Sequence, residues 1–150
     1  MKRKTILVAF IVFICDLITK YLVFNSFKYD IGKVVIKNFF SIHPIKNTGA
    51  AFSFFENNQI FLILISTIIL VYLVYLFIKN NNTKLKSLSY GLLIGGLFGN
   101  LFDRVFYSYV RDFLSFRIFG FDFAIFNLAD VAVVLGAFLL LALMFKEGKK

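Results

Sequence analysis

The sequence predicts an α-helical integral membrane protein with four transmembrane helices, a small extracytoplasmic β-structure and an outer loop over a polar site. Hydrophobic residues make up 60% of the 150-residue chain, more than a soluble domain of this size can bury. They concentrate in four long segments. The net charge of +9 comes largely from cations at the edges of those segments, which favours anchoring to an anionic membrane face over nucleic-acid binding.

The spans are expected at about residues 5–24, 60–78, 86–104 and 124–145 of one membrane-embedded domain, residues 1–150, because about 20 apolar residues cross the hydrocarbon core as a helix. A secretory signal competes for the first span, since a basic start precedes an apolar run to Cys15. Bulky Phe13 and Ile14 precede that cysteine, and the apolar run continues beyond it. An uncleaved helix is therefore favoured.

The segments between the spans are more polar. Residues 25–58 contain a β-prone stretch at 33–37 and the only proline, Pro44, which predicts an extramembrane insertion with a little sheet. His43 is expected to be a loop residue and not a ligand. Residues 79–86 read as a short polar loop, and residues 105–123 as a second extramembrane loop.

The distribution of charge predicts the orientation. With four spans, both termini and the 79–86 loop share one side, and that side carries nine Lys or Arg residues against Glu147 as its only acid. Cations in short flanking segments mark the cytoplasmic side. The termini are thus expected in the cytoplasm, with both long loops outside. The other seven acids lie in the outer loops or the spans.

Three carboxylates occur between residues 110 and 130: Asp112, Asp122 and Asp130. Asn127 and Asp130 are three residues apart at the start of the fourth helix, so both should point into the bundle, and Asp112 can fold back over that end. Two carboxylates in an apolar site share one proton and can perform general acid–base chemistry. In the alternative interpretation the two carboxylates are unrelated: one caps a helix and the other is exposed to solvent. Asp122 is interpreted as a bystander.

Further polar residues lie within the spans. Asp16 and Lys20 have the i, i+4 spacing of a helical ion pair; a structural bridge is favoured, the alternative being that Lys20 reaches toward a substrate or the carboxylates. Asn100, Asp103 and Arg104 share one helical face, and Asp103 and Arg104, being adjacent, should find separate partners. The sequence supports a structural and a functional role for this face equally well.

The same helix carries glycines at 91, 95 and 99, with Gly96 alongside, a spacing typical of close helix packing. One His and one Cys cannot form a usual zinc site. No phosphate-cradling loop or spaced acidic motif is visible either, so no metal and no cofactor are expected.

Five blocks together resemble the lipoprotein signal peptidase (signal peptidase II) family, in order and over nearly the whole chain. They are residues 16–20 (DLITK), 47–52 (NTGAAF), 95–104 (GGLFGNLFDR), 110–113 (VRDF) and 126–130 (FNLAD). Two departures occur at the rim of the expected site: Ser53 and Phe54 follow the second block where a glycine is common, and no Trp or Pro precedes Phe126. These departures affect expected substrate preference and inhibitor contacts more than the chemistry.

The resemblance implies an aspartic endopeptidase of the bacterial inner membrane, and we expect it to be a monomer. Its substrate would be a prolipoprotein that carries diacylglycerol, cut just before the lipidated cysteine by water that an aspartate pair activates. It implies Asp112 and Asp130 as the catalytic pair. The residues implied for substrate positioning or support are Asn47, Asn100, Arg104, Asn127, Asp16, Lys20 and Asp103. Contact with membrane lipid and inhibition by cyclic peptides of the globomycin type are also implied.

Two other classes of protein compete with this interpretation. Intramembrane Asp, Lys and Arg also mark the pathways of small ion- or proton-coupled transporters, but a transporter predicts acids at mid-membrane and on both sides. Here the acids gather toward the outer end, and the second span has none. A structural membrane subunit held by ion pairs would lose stability on Asp→Asn substitution without any specific processing defect.

Overall fold

The fold is known from a computed structural model that describes residues 2–49, 58–80 and 83–147. Four helices form its body: α1 (Lys2–Ser26), α2 (Gln59–Lys79), α3 (Lys84–Tyr107) and α4 (Leu128–Glu147). Within the described ranges, α1, α2 and α4 are long and apolar enough to cross a membrane. The third helix, α3, is more polar, and it packs against all three of the others.

The glycines of α3 allow this central position, as predicted. A Cβ atom on Gly95 would lie 2.6 Å from the carbonyl oxygen of Ala9 in α1, and one on Gly96 would collide with the carbonyl oxygen of Ala129 in α4. Gly99 lies against Asp16, where a Cβ would be 2.6 Å from Oδ2. Backbone contact this close leaves no room for larger side chains, so α3 meets α1 and α4 on two different faces.

Replacing Gly96 by alanine is therefore expected to destabilise the protein, by about 1–3 kcal/mol as for other overpacked sites. The obstacle is backbone of α4, which cannot rotate away. Gly32→Ala is the matched control, because its Cβ would meet the His43 ring at an ordinary 3.4 Å. Thermal unfolding in detergent compares the two, and equal melting temperatures would contradict the packing argument.

Four antiparallel strands form one sheet in the order β1 (Lys33–Ile36), β2 (Phe40–Asn47), β3 (Val110–Ile118) and β4 (Phe121–Asp122). The β-prone stretch at 33–37 is confirmed as β1. His43 was wrongly expected in a loop, since it lies in β2, where its ring bonds Asp30 at 3.1 Å.

The segment 105–123 was wrongly predicted as a loop. Helix α3 continues to Tyr107, and β3 follows as an inner strand of the sheet. Its partners in β2 are Asn47 opposite Val110 and Ile45 opposite Asp112. Pairing with β2 satisfies the strand's backbone groups, which a buried loop could not do.

The start of the fourth span was placed four residues too early. Phe126 is still extended, because its backbone N–H donates to the Leu114 carbonyl at 3.1 Å and its own carbonyl accepts from Leu114 at 2.8 Å. Helix α4 begins only at Leu128. Three predicted stretches lie partly outside the described residues: 50–57 of the extramembrane insertion, with the end of the second block and the departure at Ser53 and Phe54; 81–82 of the polar loop; and the tail from 148 onward.

Candidate functional site

Two carboxylates from different elements line one cavity of about 520 Å³. Asp112 lies on β3 and Asp130 in the first turn of α4. Among the described residues, the other polar side chains that line this cavity are Asn47, Asn100 and Arg104. Its apolar wall includes Val110, Phe123, Phe126, Val131 and Val134. The cavity therefore combines a paired-carboxylate centre with an extended hydrophobic surface, as ligand sites commonly do.

Asp130 is fixed by a reciprocal cap at the start of α4. Its backbone N–H donates to Asn127 Oδ1 at 3.0 Å, and its carboxylate accepts from the Asn127 backbone N–H at 3.1 Å. This is the arrangement of a helix capping box, with Asn and Asp in place of the more common Ser and Glu. The i, i+3 spacing in the sequence thus reflects a rigid local structure.

Asn127 also connects the two carboxylates. Its side-chain Nδ2 donates to Asp112 Oδ1 at 2.6 Å and to Asn100 Oδ1 at 3.0 Å. Asn100 in turn donates to Asp130 Oδ1 at 2.7 Å. The two asparagines therefore hold both acids in one hydrogen-bonded unit, and each carboxylate orients the donors of the other.

The environment of Asp112 favours its protonated form. The side chain is 1% exposed. Burial, and next the charge of Asp130, raise the pKa of Asp112 from 3.8 to about 7, while hydrogen bonds from Asn47 and Asn127 act in the opposite direction. The bond from Asn47 Nδ2 to Asp112 Oδ2 is 2.8 Å long. A carboxyl group that carries a proton near neutral pH can donate it to a substrate.

A buried network of ion pairs lies next to the Asp112–Asp130 pair and is joined to it by hydrogen bonds. The predicted bridge between Asp16 and Lys20 is present at 2.7 Å, and Lys20 also contacts Asp103 at 3.1 Å; all three side chains are fully buried. Lys20 donates further to Asn100 Oδ1 at 3.1 Å. Asn100 in turn binds Asp130. Lys20 therefore links α1 to α3 and is also connected to Asp130 through the Asn100 side chain.

Asp16 joins the network to a second helix. Its Oδ1 accepts a hydrogen bond of 3.0 Å from the backbone N–H of Ala129 in the first turn of α4. A carboxylate at a helix N-terminus is stabilised by the unpaired N–H groups there. The same contact places the N-terminal end of α4, and with it Asp130, against α1.

Asp103 and Arg104 find separate partners, as predicted. Asp103 binds Lys20, whereas Arg104 lines the cavity and donates through Nη2 to the carbonyl of Gly49 at 3.1 Å. Within the described part of the chain, the buried Nε of Arg104 has no hydrogen-bond partner. Arg104 therefore contributes a guanidinium group to the cavity wall beside the two carboxylates.

Asp122 is not brought to the site. It lies on the exposed β3–β4 hairpin and forms a bidentate pair with Arg117, at 2.7 and 2.8 Å. That hydrogen bonding lowers the pKa of Asp122. Its position agrees with its interpretation as a bystander.

Sequence reasoning missed Arg111. Its side chain is 7% exposed and binds Asp103 through Nη2 at 2.7 Å, and its backbone N–H donates to the same carboxylate at 3.0 Å. The guanidinium also lies over the Tyr107 ring, 4.5 Å from its centroid. Alternation along a strand points Arg111 and Asp112 to opposite faces, so the Arg111–Asp103 pair fixes β3 to α3 while Asp112 faces the cavity. Recognising β3 as a strand would have revealed this arrangement.

Arg111→Met is expected to lower stability by about 3 kcal/mol, because it leaves a buried carboxylate with one partner fewer. Arg111→Lys should recover only part of the loss, since an ammonium group cannot reproduce the paired contacts of Nε with Asp103 Oδ2 at 3.3 Å and of Nη2 with Oδ1 at 2.7 Å. Arg117→Met is the control, because its pair with Asp122 is exposed to solvent and should contribute far less to stability than the buried pair. Chemical unfolding in detergent measures the three, and equal effects of Arg111→Met and Arg117→Met would contradict the assignment.

The fold and this site define a class, a helical membrane protein with a paired-carboxylate centre at one end of its helices. A family model described as signal peptidase (SPase) II matches residues 8–146. The lipoprotein signal peptidase of Clostridium tetani is 43% identical over 136 residues, 89% of this chain and 87% of that one. The lipoprotein signal peptidase of Caldanaerobacter subterraneus is 40% identical over 144 residues, 95% and 96% of the two chains.

Two solved structures, both described as bacterial membrane enzymes studied by the in meso method, have the same fold. The one at 2.3 Å resolution superposes with a TM-score of 0.91 at 36% identity, covering 97% of this chain and 89% of the other. The one at 1.9 Å gives 0.87 at 37% identity, covering 95% and 93%. The chain belongs to the signal peptidase II family.

Proposed function

We propose that this protein is a membrane endopeptidase that removes the signal peptide from diacylglyceryl-modified prolipoproteins, with Asp112 and Asp130 as its catalytic aspartates. The observation that carries the proposal is the hydrogen-bonded unit in which Asn127 and Asn100 join these two acids at one cavity. Membership of the signal peptidase II family supports the substrate class. A paired carboxylate is the arrangement with which aspartic proteases activate water.

In the proposed reaction the Asp130 carboxylate takes a proton from water as the water oxygen attacks the scissile carbonyl carbon. The Asp112 carboxyl donates its proton to the carbonyl oxygen, which gives a neutral gem-diol. Asp130 then protonates the departing amine nitrogen, the C–N bond breaks, and a gem-diol hydroxyl returns a proton to Asp112. The products are the free signal peptide and a lipidated cysteine with a free amine, and no covalent enzyme intermediate forms.

The supporting residues have distinct proposed roles. Asn47 and Asn127 would orient the Asp112 carboxyl through their hydrogen bonds. Asn100, which accepts from Lys20 and donates to Asp130, would orient the Asp130 carboxylate. The Arg104 guanidinium, which lines the cavity, would position the substrate backbone. The apolar cavity wall continues on α4 to Val134 and Leu135, which are more than half exposed. That surface suits acyl chains that remain in the bilayer, and cyclic peptides of the globomycin type would compete for the same cavity.

The proposal includes the membrane arrangement. Helix α3 would be a fourth span, because its polar side chains Asn100 and Asp103 bind protein partners and it packs against α1, α2 and α4. The N-termini of α1 and α3 lie together, since Thr5 bonds Ser87. Among the described residues this end has seven cations against Glu147 as its only acid: Lys2, Arg3, Lys4, Lys79, Lys84, Lys86 and Lys146. The positive-inside rule then places it in the bacterial cytoplasm, with the carboxylate site at the outer face. We propose a monomer with one domain, residues 1–150.

The test is a cleavage assay with the purified full chain in nanodiscs. Mass spectrometry would follow release of the signal peptide from a diacylglyceryl-modified precursor, with the unmodified precursor as the control. Cleavage of the modified precursor alone, immediately before its lipidated cysteine, is expected. Equal cleavage of both precursors would refute the substrate class, and loss of activity after chelation would refute a metal-free mechanism.

The pKa of Asp112 predicts an alkaline limit to the reaction. Cleavage should fall as pH rises above about 7, because the general acid then loses its proton. Asn47→Leu removes a hydrogen bond that favours the charged form of Asp112, so it should raise that pKa and move the limit to higher pH. The pH dependence of kcat/KM for the two proteins checks this. A shift to lower pH in Asn47→Leu would contradict the role given to Asp112.

A further inference from the structure

A second cavity, of about 620 Å³, lies between α1, α2 and α3 at the basic end of the bundle. None of its lining residues also lines the Asp112 cavity. Its walls are Ile6 and Phe10 of α1, Val74 and Ile78 of α2, and Ile94 and Phe98 of α3. The volume falls within the range of about 300–1,000 Å³ typical of small-molecule sites.

This second cavity, called the groove below, is apolar along its length and carries charge at one end only. Lys2 is the only charged side chain among the described residues that line it, and it lies at one end. Thr5 also lines the groove, but its hydroxyl already donates to the carbonyl of Ser87 at 3.0 Å. An occupant therefore meets an apolar surface along its length and a cation at its end.

The groove has the length of one membrane leaflet. Along α1 its lining extends from Lys2 to Phe13, which corresponds to about 16 Å at a helical rise of 1.5 Å per residue. The hydrocarbon core of a bilayer is about 30 Å thick. The groove therefore begins at the basic end of the helices and ends near the middle of the membrane.

We propose that this groove binds one acyl chain of an anionic phospholipid whose headgroup contacts Lys2. Arg3 and Lys4 add positive charge at the same end of α1, and no Asp or Glu occurs among the described lining residues. A headgroup with net negative charge is thus preferred over a zwitterionic one. The site is independent of the peptidase reaction, so it can be tested whether or not the proposed function holds.

The experiment uses the full chain purified in detergent and a phosphatidylglycerol probe with a photoreactive acyl chain, with a phosphatidylcholine probe as its partner. Mass spectrometry of the crosslinked peptides locates the label. Val74→Trp should fill the groove and remove most of the labelling at its lining residues. Val71→Trp is the matched control, since Val71 lies one turn earlier on α2, is 63% exposed and is not among the lining residues.

Lys2→Gln gives a second, structurally mild arm, with the exposed Lys4→Gln as its control. We expect Lys2→Gln to lower the preference for the anionic probe about fivefold, the effect of one cation near a membrane surface, and Lys4→Gln to change it less. Equal labelling by both probes would overturn the anionic preference. Unchanged labelling in Val74→Trp would overturn the site, as would labelling blocked by a signal peptide or by a second copy of the chain.

Discussion

Replacing either Asp112 or Asp130 by asparagine is expected to lower the rate of cleavage of a diacylglyceryl-modified precursor by about a thousandfold, the typical contribution of a general acid or base. Asparagine keeps the shape of the side chain. It can neither take a proton from water nor give one to the carbonyl oxygen, so each variant interrupts a different proton transfer. The initial rate of signal-peptide release, measured near pH 7, provides the comparison.

The stability of Asp112→Asn should change in the opposite direction from its activity. The pKa of Asp112 lies at about 7 in the folded protein, against 3.8 for an ordinary aspartate. The folded state therefore binds more protons than the unfolded state between these values, and the stability of the parent protein falls as pH rises through that interval. At pH 8 the buried charge would cost up to about 4 kcal/mol, and asparagine removes that cost.

This opposition separates loss of catalysis from loss of fold. An Asp112→Asn protein that is inactive yet more resistant to unfolding at pH 8 would have lost the chemistry alone. Asp122→Asn is the matched control, because Asp122 is exposed and paired with Arg117, and it should cleave at the parental rate. Parental activity in Asp112→Asn or Asp130→Asn would contradict the catalytic pair.

The sequence predicts well those features that are set by local spacing. The four apolar segments correspond to α1, α2, α3 and α4, the i, i+4 pair of Asp16 and Lys20 is present, and the glycines of α3 admit two neighbouring helices. The proximity of Asn127 and Asp130 was likewise expected from their i, i+3 spacing, although that spacing proves to be a capping box.

Features that depend on distant partners were harder to predict. Strand β3 contains adjacent charged residues, Arg111 and Asp112, and such a pair usually indicates a solvated loop. Both are buried here because each faces a different partner, Asp103 on one side and the Asn127 unit on the other. Neither partner is visible in the local pattern. The same holds for Phe126, whose pairing with Leu114 delays the start of α4.

Lys20→Met is expected to have the largest effect on stability, a loss of about 3–5 kcal/mol in the free energy of unfolding, as for other broken buried ion pairs. The fully buried ammonium group contacts Asp16 at 2.7 Å and Asp103 at 3.1 Å. Methionine fills a similar volume, so the loss would come from two carboxylates deprived of a shared cation.

Lys86→Met is the control for Lys20→Met, because its pair with Glu147 has the same 2.7 Å length but a half-exposed carboxylate. It should change stability by at most about 1 kcal/mol. Chemical unfolding of the purified proteins in one detergent gives both values. Equal losses for the two variants would mean that burial of the Lys20 network contributes nothing beyond an ordinary surface pair.

The double variant Asp16→Asn with Lys20→Met distinguishes support of the fold from support of the reaction. Removing both partners should restore part of the lost stability, since fewer unpaired charges remain buried. Activity should stay low, because Asn100 would still lack the donor that orients it toward Asp130. A double variant that recovers stability and activity together would show that Lys20 acts only by stabilising the packing of the helices. Recovery of stability without activity would show that Lys20 also orients Asp130 for the reaction, through its hydrogen bond to Asn100.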